Sequence, residues 1–164
     1  MNVRPATRDD LPGIVAIYND AVANTTASYD YEPRTLEHRR LWFEERERDG
    51  YAVFVAEDAQ GRIIGWSALN PYHARKGYRF TAENSVYVAA DQRGRGVGLR
   101  LMRPLIDAAR RQGLHAVIGG IDASNEASIR LHAQLGFEKV GQFKEVGFKF
   151  GRWLDVVYMQ LLLK

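Results

Sequence analysis

The spacing of hydrophobic and polar positions changes along the chain, and each change marks a new predicted element. Leu11, Ile14 and Tyr18 recur at the spacing of one helix face, which predicts a first helix that reaches about residue 23. Residues 51–57 and 62–70 have the composition of strands and are joined by turn residues. Further helices are predicted at about 35–48, 96–112 and 125–135, and further strands at 3–7, 78–89, 115–121, 137–146 and 153–163.

The predicted elements follow the order β-α-α-β-β-β-α-β-α-β-β. This order favours an α/β fold of the α+β type, in which a mixed, largely antiparallel sheet is flanked by helices. Pro104 lies inside the predicted third helix, where it removes one backbone hydrogen bond, so we expect a bend or a local irregularity there. Gly136 follows the fourth helix and suits a left-handed helix cap.

Composition narrows the class of protein. The chain of 164 residues is long enough for one domain, which we expect to span 1–164, and its 46% hydrophobic and 26% charged residues form an ordinary globular balance. A net charge of +3 suits a small anionic ligand and does not by itself indicate nucleic-acid binding. The absence of cysteine excludes a thiolate nucleophile. Without a long apolar run or signal peptide, we expect a cytoplasmic protein with no membrane partner.

A glycine-rich turn, Arg-Gly-Arg-Gly-Val-Gly at 93–98, follows an apolar strand and opens directly onto the third helix. Glycines let a ligand approach the main chain, and the free amides of a helix's first turn attract anions. Leu99 and Arg100 stand where a Walker loop needs Lys and Ser or Thr, and Leu99 also replaces the third glycine of a dinucleotide motif. The pattern predicts a pyrophosphate site outside both nucleotide classes, and a tight turn without a ligand is the alternative.

Residues 93–98 resemble the Arg/Gln-x-x-Gly-x-Gly/Ala motif of the GNAT N-acetyltransferase superfamily, which holds the pyrophosphate of acetyl-CoA. The resemblance covers nearly the whole chain, because the element order also matches. Segments 81–88, 125–129, 131–132, 135–137 and 147–155 resemble more narrowly the phosphinothricin and methionine sulfoximine acetyltransferase branch. The resemblance implies the GNAT fold, acetyl-CoA as co-substrate, and acetyl transfer to the primary amine of a small amino-acid analogue.

The resemblance also implies roles for single residues. Glu83 would act through water as the base for the amine, and an exposed strand glutamate is the alternative. The N–H of Val88 would stabilise the oxyanion. His132 stands where the superfamily commonly has a tyrosine that protonates the thiolate; an imidazolium could do so, and packing at a helix end is the alternative. The residues expected to bind the cofactor are Val86, Tyr87, Val88, Arg93, Gly94, Arg95, Gly96, Val97, Gly98, Asn125 and Ser128.

The cationic loop before Glu83 indicates an acceptor that carries a carboxylate beside its amine, because arginine can bind a carboxylate with two hydrogen bonds. According to the resemblance, phosphinothricin, methionine sulfoximine and methionine sulfone are such acceptors. A solvated basic loop is the alternative. The residues expected at the acceptor are His73, Arg75, Glu83, Asn84 and Ser85. Candidates for the pocket wall, or for core or dimer packing, are Tyr29, Tyr31, Phe148 and Trp153.

Other functions stay open. A GNAT enzyme for a polyamine, an aminoglycoside or a protein N-terminus would favour an acidic pocket, whereas the residues before Glu83 are basic. A nucleic-acid-binding module would use the arginines around the third helix, but acidic residues interleave and no nucleic-acid motif is present, so we expect no such partner. A CoA-binding domain that has lost catalysis is a further possibility. The histidines lack metal-ligand spacing, so no metal is expected. The resemblance implies a homodimer.

Overall fold

The computed structural model describes residues 1–164 and contains four α-helices and seven strands. The helices are α1 (Leu11–Asn24), α2 (Leu36–Asp49), α3 (Val97–Arg111) and α4 (Glu126–Gln134). The strands are β1 (Asn2–Pro5), β2 (Val53–Glu57), β3 (Ile63–Pro71), β4 (Thr81–Val88), β5 (Ala116–Asp122), β6 (Glu138–Lys149) and β7 (Arg152–Leu162). This is the predicted order of elements, and the expected fold class is confirmed.

All seven strands join one sheet in the order β1-β2-β3-β4-β5-β7-β6. Every neighbouring pair is antiparallel except β4 and β5, which run parallel. Parallel neighbours need a crossover connection, and α3 lies in the segment that supplies it. The sheet is therefore mixed and largely antiparallel.

The helices cover both faces of this sheet. Ile14 of α1 belongs to the apolar cluster on one face, and Leu101 of α3 belongs to the cluster on the other. Side chains alternate between the two faces along a strand. On β4, Asn84 lies on the α3 side, where its amide contacts the sulfur of Met102. Its neighbour Glu83 consequently faces the side of α1 and α2.

Strands β4 and β5 separate after a short ladder, which pairs 81–83 with 116–118. Beyond this ladder β4 remains paired with β3 as far as Val88. The N–H of Ala89 donates to the carbonyl of Ile64 just after β4, and backbone groups of successive residues alternate in direction. Val86 and Val88 therefore turn their N–H and C=O groups towards the gap between β4 and β5.

The end of one strand differs from the sequence prediction. β6 continues to Lys149 instead of ending at residue 146, because pairing with β7 resumes after an irregular register between Phe143 and Gly147. This irregularity interrupts the alternation that strand prediction relies on. α3 continues without interruption through Pro104, and the bend expected there stays a prediction. None of the four helices combines the length and apolar character needed to cross a membrane.

Candidate active site

The glycine-rich turn presents bare backbone at the start of α3. Gly94 and Gly96 have φ values of +74° and +77°, and nothing lies within 4 Å of the position that a Cβ would take at either residue. Gly96 is the N-cap of α3 and no side chain caps this helix. The amides of Val97 and Gly98 therefore point outwards without intrahelical partners. Together with the positive end of a 15-residue helix they form an anion site.

This turn forms one end of a groove of about 870 Å³. The groove continues along the end of β4 and the first turn of α4, where Asn125 accepts a hydrogen bond from the N–H of Ser128 at 3.1 Å. Gly98 allows α3 to approach α4, because a Cβ there would lie 3.0 Å from Leu131. Every residue expected to bind the cofactor lines the groove except Arg95.

The two arginines of the turn have different surroundings. Arg93 donates from Nε to the carbonyl of Val88 at 3.2 Å, and its guanidinium lies 3.8 Å from the carboxylate of Asp20. It therefore ties the turn to the end of β4 and to α1. Arg95 is exposed and does not line the groove, so its place in cofactor binding stays a prediction.

A second cavity of about 410 Å³ lies beside the gap between β4 and β5. Three of the residues expected at the acceptor line it, Glu83, Asn84 and Ser85. Thr26 and Ala27, from the loop after α1, line both the cavity and the groove. A ligand in the groove and a second ligand in the cavity would therefore meet at the gap.

The carboxylate of Glu83 lies in this cavity, half-buried and without a side-chain hydrogen bond or ion pair. Burial raises the pKa of Glu83, and the charge of His73 opposes part of that rise. Tyr158 of β7 lines the same cavity, and burial together with the charge of Glu83 raises the pKa of its phenol. A carboxylate with a raised pKa and no partner is a candidate general base.

Two adjacent glycines of β5 leave room at the gap, and the sequence analysis missed them. A Cβ on Gly119 would lie 3.0 Å from the ring of His132 and 3.2 Å from Oδ1 of Asn84. A Cβ on Gly120 would lie 3.4 Å from Tyr158. Paired glycines inside an otherwise apolar strand are the signal that could have found them, because glycine there often marks a close approach.

His132 is buried with both ring nitrogens engaged. Nδ1 lies 2.8 Å from the carbonyl of Ser128, and Nε2 lies 3.0 Å from Nδ2 of Asn84. Because a carbonyl only accepts hydrogen bonds, Nδ1 carries the proton of the neutral ring and Nε2 accepts from Asn84. Burial lowers the pKa of His132, although the Ser128 carbonyl opposes this shift. The ring edge also packs against Phe137, at 5.0 Å between centroids.

Tyr29 and the buried Asp122 also line the cavity. The Tyr29 hydroxyl donates to Oδ2 of Asp122 at 2.8 Å, and burial followed by this carboxylate raises the pKa of Tyr29. Oδ1 of Asp122 accepts the N–H of Ser124 at 3.0 Å. Asp122 thus links the loop after α1 to the segment that enters α4. No motif surrounds it in the sequence, and sequence reasoning missed it.

Several candidates lie outside the cavity. The ring of His73 packs against Tyr72 edge-to-face and against Tyr78 at a tilt. Neither His73 nor Arg75 lines the cavity, so their contact with an acceptor stays a prediction. Phe148 and Trp153 pack on each other at 4.9 Å between centroids and do not line it either. No group of three or more His, Cys, Asp and Glu side chains is arranged to hold a metal ion.

An anion-binding turn that leads along a groove to a gap, with an unpartnered carboxylate beside it, suits an enzyme that uses a phosphorylated carrier. The family model described as an acetyltransferase (GNAT) domain matches residues 3–158. The chain belongs to the GNAT family and is an N-acetyltransferase. The resemblance, the fold and the enzyme class expected from the sequence are confirmed.

Individual relatives are similar over almost the full chain. An L-methionine sulfoximine/L-methionine sulfone acetyltransferase of Pseudomonas aeruginosa is 51% identical over 162 residues, which cover 99% of this chain and 94% of that protein. A phosphinothricin N-acetyltransferase of Streptomyces coelicolor is 42% identical, covering 98% and 95%. The structure of a Salmonella typhimurium acetyltransferase with its cofactor acetyl-CoA superposes with a TM-score of 0.98, at 42% identity and covering 100% and 94%.

Proposed function

We propose that this enzyme transfers the acetyl group of acetyl-CoA to the primary amine of a small amino-acid-like acceptor, of the methionine sulfoximine, methionine sulfone or phosphinothricin type. The observation that carries the proposal is the unpartnered carboxylate of Glu83, with its raised pKa, beside the gap where groove and cavity adjoin. The names of the relatives at 51% and 42% identity support the acceptor class.

The donors of the groove fit acetyl-CoA. The amides of the turn match its diphosphate, because they combine unpaired N–H groups with the positive end of a helix. The backbone of Val86 and Val88, which has no strand partner across the gap, matches the amides of its extended arm. When bound, acetyl-CoA supplies an acyl group activated as a thioester. Asn125 and Ser128 would hold the arm from the side of α4.

Glu83 removes a proton from the acceptor ammonium through a bridging water, since only the neutral amine is a nucleophile. Its raised pKa makes the ionised carboxylate a better base than an ordinary glutamate. The N–H of Val88 points into the gap and would donate to the oxygen that gains negative charge as the neutral amine attacks the thioester carbon. The new carbon–nitrogen bond replaces the carbon–sulfur bond, and the thiolate that leaves takes its proton from water.

The geometry supports packing as the role of His132, which the sequence left open beside a role as acid. The ring proton sits on Nδ1, which donates a hydrogen bond to the Ser128 carbonyl, and Nε2 accepts a hydrogen bond from Asn84. A neutral ring with this tautomer has no proton to release towards the gap. We assign His132 to holding α4 and Asn84 in place.

An enzyme for a cationic acceptor such as a polyamine is the second candidate, and one observation favours it. The cavity is lined by three carboxylates, Asp30, Glu83 and Asp122, and by no lysine or arginine. Two of them already have partners, because Asp30 accepts from Tyr18 and Asp122 accepts from Tyr29. The cationic loop with His73 and Arg75 lies beyond the lining, where a carboxylate of the acceptor could reach it.

An acetyl-CoA turnover screen separates the two candidates and the remaining alternatives. Free thiol release is followed with methionine sulfone, methionine sulfoximine and phosphinothricin, and in parallel with spermidine, an aminoglycoside and a peptide with a free N-terminus. We expect turnover with the amino-acid analogues and at most background release with the others. Turnover restricted to the cationic amines would favour the second candidate, and binding of acetyl-CoA without turnover of any amine would indicate a domain without catalysis.

We also propose that the enzyme is a cytoplasmic homodimer. β6 is an edge strand of 12 residues, and the β6–β7 hairpin exposes large apolar side chains on Val140, Phe143, Val146, Phe148, Phe150 and Trp153. An exposed apolar surface on a long sheet edge favours association, and the family resemblance makes a second copy its occupant. Light scattering coupled to gel filtration should give twice 18.6 kDa, whereas a monomer would contradict this proposal.

A further inference from the structure

Lys149, at the end of β6, is a buried cation that the reaction described above does not use. Its side chain is only 4% exposed, and no carboxylate lies within ion-pair distance. Instead, Nζ donates to the carbonyl of Thr25 at 2.8 Å and to the carbonyl of Ser28 at 2.7 Å. Burial lowers the pKa of Lys149. A buried lysine that donates hydrogen bonds to two backbone carbonyls fixes the conformation of the segment to which those carbonyls belong.

The chain that Lys149 holds is the loop between α1 and α2, which we call the acceptor loop (residues 25–31). This loop lines the cavity from Thr26 to Asp30 and lines the groove from Thr25 to Ala27. It therefore contributes a wall to both binding sites at the point where they meet. A shift of this loop would change both spaces at once.

Three other contacts attach the acceptor loop to the same side of the sheet. Tyr29 bonds to Asp122, Tyr31 bonds to the carbonyl of Phe148, and the Tyr29 ring lies where a side chain on Gly147 would be. All but the first involve β6, close to Lys149. The loop has no regular secondary structure of its own, so these attachments, together with the hydrogen bonds of Tyr18 to Ser28 and Asp30, set its conformation. The hydroxyl of Tyr87 on β4 also donates to the carbonyl of Ala27, at 3.4 Å.

We propose that Lys149 is a positioning residue for acetyl transfer, which holds the acceptor loop closed over the junction of the acceptor cavity and the cofactor groove. The inference rests on the proposed function. It predicts that loss of the ammonium weakens binding of both substrates, because the loop walls both sites, while the bound complex reacts at a nearly unchanged rate, because Lys149 does not touch the gap.

Lys149→Met tests the proposal, with Lys144→Met as the control, because Lys144 is an exposed lysine of the same strand without a hydrogen bond. With methionine sulfone as the acceptor, we expect Lys149→Met to raise the KM for the amine at least about tenfold, because the substitution removes both charged hydrogen bonds to the acceptor loop. The kcat should stay within about threefold, and Lys144→Met should match the unmodified enzyme in both. An unchanged KM in a folded Lys149→Met enzyme would overturn the proposal.

Hydrogen exchange gives a readout that does not depend on activity. In Lys149→Met the amides of residues 26–31 should exchange faster, while the amides of β5 and α3 keep their protection. Loss of protection throughout the fold, with the loop no more affected than the rest, would reduce Lys149 to a purely structural residue. This measurement holds even if no amine proves to be a substrate, so failure of the proposed function and failure of this inference are distinguishable.

Tyr29→Phe provides a second variant in case the buried methionine prevents folding. It removes the hydroxyl bond to Asp122 and leaves the ring in place against Gly147. The same pattern is expected with a smaller amplitude, namely a rise of about threefold in the amine KM and faster exchange confined to the acceptor loop. An unaltered KM together with unaltered exchange in this variant would contradict the attachment of the loop.

Discussion

The groove and the cavity that meet at the gap between β4 and β5 are built in different ways. The turn end of the groove is main chain, with left-handed glycines and the unpaired amides that begin α3. The cavity is made by side chains from separate parts of the chain, such as Tyr29, Glu83, Asp122 and Tyr158. The contrast matches the two ligands, since a carrier common to a whole family can be held by backbone while acceptors differ between enzymes.

This difference also sets how each region responds to substitution. Binding of acetyl-CoA in the groove should weaken when the backbone conformation of the turn changes or when a Cβ is added there. Many side-chain changes elsewhere in the groove should leave this binding unchanged. Binding and turnover of the acceptor in the cavity should change when a single side-chain atom is replaced, because each carboxylate or hydroxyl makes its own contact.

Removal of the base should have the largest effect and should affect only the cavity. Glu83→Gln keeps the shape of the side chain but cannot take a proton, so kcat should fall by a factor of about 10² to 10⁴. The dissociation constant of acetyl-CoA, measured by calorimetry, should stay the same. Glu138→Gln, at an exposed position of β6, is the matched control. Turnover of Glu83→Gln at the normal rate would remove Glu83 from the mechanism.

A side chain at the turn should act on the groove alone. Gly96→Val adds bulk where the diphosphate is expected, at a residue with φ of +77°, and should weaken acetyl-CoA binding at least about tenfold. Gly113→Val is the control, because Gly113 follows the other end of α3 with φ of +80° and equally open space. Both variants should lose similar stability, about 1–2 kcal/mol, in thermal unfolding. Equal affinity in the two variants would argue against the backbone site.

Alanine substitutions at the two glycines of β5 test whether the reaction depends on the free space at the gap. Gly119→Ala forces the pair formed by His132 and Asn84 to move, because the added Cβ would lie 3.0 Å from the ring. Gly120→Ala places its Cβ at an ordinary contact distance of 3.4 Å from Tyr158. We expect kcat/KM to fall about tenfold in the first variant and less than about threefold in the second. The opposite ranking would mean that the free space needed for the reaction lies on the side of Glu83.

The smallest effect is expected in the pH profile. Glu83 must be ionised to act as a base, and burial raises its pKa, so the acidic limb of kcat/KM should lie above the pH at which an ordinary glutamate titrates. The positive charge of His73 lowers the pKa of Glu83. His73→Gln should therefore move the acidic limb to higher pH, by less than about one unit. If the acidic limb of the profile stays in place or moves to lower pH, the limb does not reflect the ionisation of Glu83.

The sequence predicted the parts of the molecule that depend on local patterns. The helices and the order of strands along the chain follow from the periodicity of apolar residues. The turn at 93–98 follows from the placement of its glycines and from the family motif. It also predicted Glu83, Asn84 and Ser85 at the acceptor site, and all three line the cavity although Asn84 points to the other face of the sheet from its two neighbours.

What the sequence left undecided depends on contacts between distant segments. Asp122 accepts a hydrogen bond from Tyr29, 93 positions earlier in the chain, and Lys149 donates to carbonyls more than 120 positions earlier. No local pattern marks either residue. The role of His132 was open for the same reason, since its tautomer is set by the Ser128 carbonyl and by Asn84, 48 positions away.

The central claim is that the main-chain amides of the turn bind the diphosphate of the acyl carrier. Backbone amide NMR spectra of the ¹⁵N-labelled enzyme test it most directly, in titrations with acetyl-CoA and with S-acetylpantetheine, which lacks the diphosphate. We predict large shifts of Gly96, Val97 and Gly98 with acetyl-CoA only, and shifts of Val86 and Val88 with both. Unshifted turn amides in the presence of saturating acetyl-CoA would contradict the account.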